Sequence, residues 1–191
     1  MDSNQAAGWS RTQRALHWWT ALAVVVAMVI GWSMGRIPDS ALLVKFLAYQ
    51  AHKTLGLAAL AMAVPRLWVS GWRRPPRTAL PPAHRWAARI VHGLLYGLLL
   101  AAPALGYLAA DTAPVAVPTF FVFIPLPSIL ARNPAQFTVL ATLHWKAAAL
   151  LAVLAGGHTT AALLDHWRGR PTLTAMRPAL RRRRQRGAPE R

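Results

Sequence analysis

The chain contains no cysteine. That excludes disulfides, iron–sulfur clusters held by thiolates, and haem attached covalently through a CxxCH motif. Carboxylates are scarce too: five Asp and Glu against 22 Lys and Arg in 191 residues. A zinc site usually draws on thiolates or carboxylates beside histidine, and that ligand set is not at hand. No nucleic-acid motif accompanies the net charge of +17. The basic residues fall between long apolar segments and after the last of them, which is how a membrane protein distributes charge. No internal repeat is present. What is abundant is apolar: the chain is 55% hydrophobic and only 14% charged, which fits one compact membrane domain.

Four apolar segments are each predicted to form a spanning helix: about 15–35, 48–68, 87–110 and 139–165. The first has a positive start like a signal peptide. Its apolar core is too long and no A-x-A site follows, so it reads as a retained helix. Gly31 with Gly35, and Gly93 with Gly97, form GxxxG pairs that are candidate helix-packing faces. Most of the nine tryptophans sit at segment ends, as an interfacial belt does. A basic, proline-rich stretch joins the second and third segments. A longer connection, 111–138, carries the run FFVFIPLP and is expected on the membrane surface or over the bundle.

Topology follows from counting. The lead before the first segment has two Lys or Arg, the span 66–89 has six, and the tail from Arg168 has nine. These seventeen lie on one side, against five on the other: Arg36, Lys45, Lys53, Arg132 and Lys146. The positive-inside rule then makes both termini cytoplasmic. The expected organisation is a polar lead over 1–14, an all-α, integral membrane four-helix bundle over 15–165, and a basic tail over 166–191 able to rest on anionic headgroups.

The fourth segment holds His144 and His158. They are fourteen residues apart, about 21 Å along a helix and within roughly 40° of one face. Ionisable groups inside a span are costly and point to function. Two on one face at opposite depths suggest two metal centres stacked across the membrane. The topology gives the outer half only His52 and His144, which forces that pairing. The inner half offers His17, His92 and His158, and spacing does not choose two of them. His84 and His166 lie in interfacial or loop sequence. A single intramembrane histidine often serves as an interhelical hydrogen-bond partner, the reading favoured for His92. Haem is the metal group that best suits paired histidines without thiolate. Gly56, Gly156 and Gly157 are positions where a flat macrocycle could approach the backbone. Arg66, Arg85 and Arg89 inside, and Lys53 and Lys146 outside, are candidates to pair with haem propionates.

At these residues the chain resembles the bacterial cytochrome b561 family of four-helix, di-haem membrane proteins. The resemblance is carried by WSRTQRALHWW at Trp9–Trp19, AHKTLGL at Ala51–Leu57, AARIVHGLLYGLLLAAPALGY at Ala87–Tyr107, FIPLP at Phe123–Pro127, and the His144/His158 pair. It implies two haem b groups, one held by His17 with His158 and the other by His52 with His144, and no axial role for His92. It implies a bacterial inner-membrane oxidoreductase that oxidises superoxide, a small anion, at the outer face and reduces ubiquinone. Relatives of similar design also serve as electron-transfer subunits of hydrogenases and dehydrogenases with a redox partner protein. Two departures from the family pattern stand out. Trp145, followed by Lys146, replaces a common glutamate after the outer histidine of the fourth helix, and Asp165-His166-Trp167 replaces a His-His pair at its end. A haem-free bundle, for instance part of a transporter, is the remaining alternative.

Overall fold

The structure, a computed structural model, describes residues 9–72, 82–115, 117–121, 124–170, 173 and 176. The first eight residues of the lead, Arg73, Arg74 and Arg77 of the basic stretch, Phe123 of FIPLP, and the tail arginines from Arg177 onward lie outside the described residues.

The described residues form four long helices: α1 Arg11–Met34, α2 Leu42–Trp72, α3 Pro82–Thr112 and α4 Pro134–Trp167. A 3-10 turn, Asp39–Ala41, precedes α2, and a two-residue hairpin, β1 Phe120–Phe121 with β2 Ile124–Pro125, lies between α3 and α4. All four helices run past the apolar segments. α1 begins at Arg11 because Ser10 forms a capping box: its hydroxyl accepts from the Gln13 N–H at 3.2 Å, and its own N–H donates to the Gln13 side chain at 2.9 Å. The lead is therefore already helical from residue 11, and the expected start at 15 is corrected. α4 begins at Pro134, where the Asn133 side chain accepts from the N–H groups of Ala135 and Gln136 at 3.1 Å each. It ends two residues before Gly169, whose φ of 75° is the left-handed conformation glycine adopts freely. α2 takes in the second half of the connection expected over 36–47.

Among the described residues, three helices are long and apolar enough to cross a membrane: α1, the His84–Thr112 portion of α3, and α4. The described part of α2, which carries Lys45, Gln50, Lys53 and Arg66, is not among them.

Helices α1 and α2 pack closely, as do α3 and α4, and α2 with α3 joins the two pairs. The small residues at these contacts are alanines. Ala23, Ala27, Ala59, Ala63, Ala102 and Ala109 are all buried, as close helix approach in a membrane requires. The GxxxG pairs play a different part. A Cβ added at Gly35, Gly93 or Gly97 meets nothing within 4 Å, so these glycines do not mark helix contacts. At mid-height Ala63, Leu99 and Leu151 form the core, with Val24, Met28 and Tyr96 packed on it. Large apolar side chains such as Val29, Trp32, Val153 and Trp145 point outward, as a lipid-facing surface does.

The connection between α3 and α4 lies against the first turns of α2. Gln50 donates to the Pro118 carbonyl at 2.8 Å, Lys53 to Val117 at 3.3 Å, and Thr54 to Phe120 at 3.2 Å. Asp111 holds its other arm by accepting from the N–H groups of Ile129 and Leu130. This loop caps one end of the bundle, as its apolar run leads one to expect.

Candidate functional site

Each helix carries polar or glycine positions spaced fourteen residues apart, about four turns or 21 Å. They are His17 and Gly31 on α1, His52 and Arg66 on α2, His92 and Gly106 on α3, and His144 and His158 on α4. The fold sorts these into two levels. Gly31, His52, Gly106 and His144 meet at the capped end. His17, Arg66, His92 and His158 meet at the other.

At the capped level, the rings of His52 and His144 face each other across 5.9 Å between centroids, 83° between planes. Each ring is held from behind by the neighbouring helix of its own pair. The His52 Nδ1–H donates to the Ala27 carbonyl at 2.8 Å, and the His144 Nδ1–H donates to the Ala102 carbonyl at 2.8 Å. A carbonyl only accepts, so each Nδ1 carries the proton and each Nε2 keeps its lone pair for a metal. One turn beyond each carbonyl sits a glycine. A Cβ at Gly31 would lie 2.7 Å from the His52 ring, and one at Gly106 would lie 2.9 Å from the His144 ring. Only glycine leaves room for these imidazoles. Orientation of a ligating histidine through its other nitrogen is the usual support of a metal ligand.

At the other level, His17 and His158 lie 6.3 Å apart between centroids, with 76° between planes. Metal–nitrogen bonds of about 2.0–2.1 Å on both sides of one metal put two imidazole centroids roughly 6 Å apart, which suits both pairs. Arg66 donates to the His17 Nδ1 at 3.0 Å and lies over the Tyr96 ring at 5.5 Å. His92 stands 5.2 Å from His158.

The levels are separated by the apolar core, with Val24, Leu99 and Leu151 each seven residues from both positions on its own helix. No group of three or more His, Cys, Asp or Glu able to hold a bare metal ion occurs among the described residues. Two facing histidines suit a metal whose remaining ligands come from a macrocycle. The donor set, the spacing and the glycine seats therefore fit haem.

The other charges expected near the sites are placed as follows. Lys53 follows His52 and is tied to the cap through Val117. Lys146 is exposed and, two residues past His144, stands about 200° round the helix from it. Arg89 lies over Trp86 at 5.4 Å, and Arg85 is exposed. His84 is exposed at the start of α3, and His166 is in the last turn of α4. Lys45 is occupied by Asp39 at 2.5 Å, and this ammonium holds the Asp39 carboxyl below its usual range. Among the glycines expected to line a macrocycle, Gly156 and Gly157 have nothing within 4 Å of an added Cβ, and Gly56 only Pro103 at 3.9 Å. Of the two glycines that seat the rings, Gly31 is marked by spacing only as half of a GxxxG pair, and Gly106 has no such mark.

An apolar helical bundle with facing histidine pairs defines a membrane cytochrome of the b type. The chain belongs to the prokaryotic cytochrome b561 family, whose profile matches residues 8–179. It is 33% identical over 161 residues to "Cytochrome b561 homolog 2" of Escherichia coli (strain K12), covering 80% of this chain and 81% of that protein. Membership brings with it haem b binding, a role in electron transfer and a multi-pass place in the membrane.

Proposed function

We propose that this protein is an inner-membrane superoxide:ubiquinone oxidoreductase, with all four helices crossing and both termini cytoplasmic. The reading is supported by one observation above all: two facing histidine pairs, 5.9 and 6.3 Å between centroids, four turns apart. Two bound haem b groups supply the one-electron carrier chemistry. Each superoxide gives one electron and becomes dioxygen. Two such electrons, with two protons, convert ubiquinone to ubiquinol.

The chain's own residues have distinct tasks in this scheme. His52 and His144 hold the outer iron, and their backbone hydrogen bonds fix the rings. His17 and His158 hold the inner one. Arg66 donates to the His17 Nδ1 here, so the ring proton sits on Nε2. With His17 holding a haem iron through Nε2, its proton would sit on Nδ1, and Arg66 would be free to pair with a haem carboxylate, a bidentate partner suited to a guanidinium. The apolar layer around Leu99 and Leu151 keeps water from the space between the two levels.

The outer face is positive. Arg36, Lys45, Lys53, Arg132 and Lys146 stand there against Asp39 and Asp111, and Asp111 is engaged by loop N–H groups. A positive mouth raises the on-rate of a small anion, and salt weakens the effect. Stopped-flow reduction of the oxidised protein by superoxide is expected to be fast and to slow as ionic strength rises. It is expected to slow further in Lys53→Gln, which keeps a donor for Val117 but loses the charge, and in Lys146→Gln. A slow, salt-independent rate would end the superoxide assignment in favour of an electron-transfer subunit serving a dehydrogenase or hydrogenase.

A further inference from the structure

We propose that His92 is the positioning residue of the inner level: it accepts a hydrogen bond from the Nδ1–H of His158 and so orients that ligand. The inference rests on the reading of His158 as an inner haem ligand and goes beyond it.

The helices work in two close pairs, α1 with α2 and α3 with α4. At three of the four places set by two pairs and two levels, one helix offers a candidate ligand and the other meets its Nδ1. On α1, Ala27 and Gly31 hold His52 of α2. On α3, Ala102 and Gly106 hold His144 of α4. On α2, Arg66 meets the Nδ1 of His17 of α1. The fourth place, opposite His158 of α4, belongs to α3. The α3 residue there is His92, fourteen positions before Gly106.

The ring distances separate two kinds of histidine pair. Rings that share a metal stand roughly 6 Å apart, and His17 and His158 are at 6.3 Å. Two ring nitrogens joined by a hydrogen bond of about 2.9–3.0 Å bring the centroids to about 5 Å. His92 and His158 are at 5.2 Å, with 69° between planes. His92 therefore stands edge-on against the His158 ring and nearer to it than His17 does. The helix backbone at His92 offers no glycine seat like that at Gly106, so a side chain supplies the acceptor that a carbonyl supplies at the outer level. A neutral imidazole has one acceptor nitrogen, which is what the ligand's Nδ1–H requires.

The consequence is electronic as well as steric. An acceptor behind a ligating histidine raises the basicity of the ligand and favours the ferric state. The test is a spectroelectrochemical titration of the holoprotein, with low-spin ferric EPR, for His92→Leu and His92→Asn. Leucine removes the acceptor, and the asparagine carbonyl restores one. His92→Leu is expected to shift the inner haem's ferric–ferrous equilibrium about tenfold toward ferrous, a rise of ~59 mV for one electron. Its EPR signal should move while the outer haem's stays. His92→Asn should return both toward the native values. A His92→Leu protein that sheds inner haem while His92→Asn keeps it also supports the assignment, because it too requires the acceptor. Unchanged potential and EPR in His92→Leu would overturn the proposal, as would loss of the inner haem in both variants, which would make His92 a ligand. His158→Ala run alongside separates the two failures: if it keeps both haems, the ligand reading itself has failed.

Discussion

Alanine at His52 or His144 is expected to remove the outer haem and leave the inner one in place, and alanine at His17 or His158 to do the reverse. The size of the effect follows from the ligand count. In the proposed arrangement each facing pair gives one nitrogen from each side, and the chain has no cysteine to hold the macrocycle covalently. With one axial bond gone, nothing but burial and carboxylate contacts retains the group. The two levels stand about 21 Å apart along the helices with the apolar core between them, so loss at one level leaves the geometry of the other intact. The check is the haem content and the split of the reduced α band in each of the four purified variants. A His17→Ala protein that keeps both haems would refute the inner pairing, and loss of both haems in every variant would show that the two levels do not assemble independently.

A single methyl group at Gly31 or Gly106 is expected to disturb the outer haem nearly as much as removal of a ligand. In Gly31→Ala the new Cβ falls 2.7 Å from the His52 Cε1 and 2.9 Å from its Nδ1. In Gly106→Ala it falls 2.9 Å from the His144 Cε1 and 3.0 Å from its Nδ1. The ring has nowhere to retreat without giving up its bond to Ala27 or Ala102. Loss of such an orienting contact typically costs about 10–100-fold in metal affinity. Helix propensity runs the other way, since alanine is favoured over glycine by about 0.8–1.0 kcal/mol in a helix interior. The helix itself is thus not weakened, and a drop in outer haem reports the ring. Gly35→Ala and Gly97→Ala are the controls: neither added methyl meets anything within 4 Å, so their spectra should match the unmodified protein. Haem titration into apoprotein, read at the Soret band, measures all four. Full outer-haem affinity in both Gly31→Ala and Gly106→Ala would mean that the rings sit elsewhere when the haem is bound.

Much of this arrangement was legible in the sequence. The apolar segments locate all four helices, and the alternation of four crossings brings His52 to the level of His144, where the two rings face each other. The helix starts were missed by four to six residues for a physical reason. Apolarity marks what lies in the membrane, while a helix continues until its N–H groups are capped, and Ser10 with Gln13 and Asn133 with Pro134 carry that signal in short polar residues. The glycines depart from expectation because GxxxG spacing alone does not show what a glycine faces. Alanines fill the helix contacts, and Gly31 and Gly106 accommodate imidazole rings instead. The regular separation of fourteen residues stands out in the sequence only on α4, where both positions are histidine. On the other helices one member is glycine or arginine, whose part depends on the helix packed beside it, and that partnership is visible only in three dimensions.

The central claim is that each chain holds two haem groups between two histidine pairs. The measurement that tests it most directly is a reduced-minus-oxidised spectrum of the purified protein, combined with haem extraction and a protein assay. Two non-covalent b haems per chain, both six-coordinate and low-spin, are the expected result. One haem per chain, none, or a haem that resists acid extraction would contradict it.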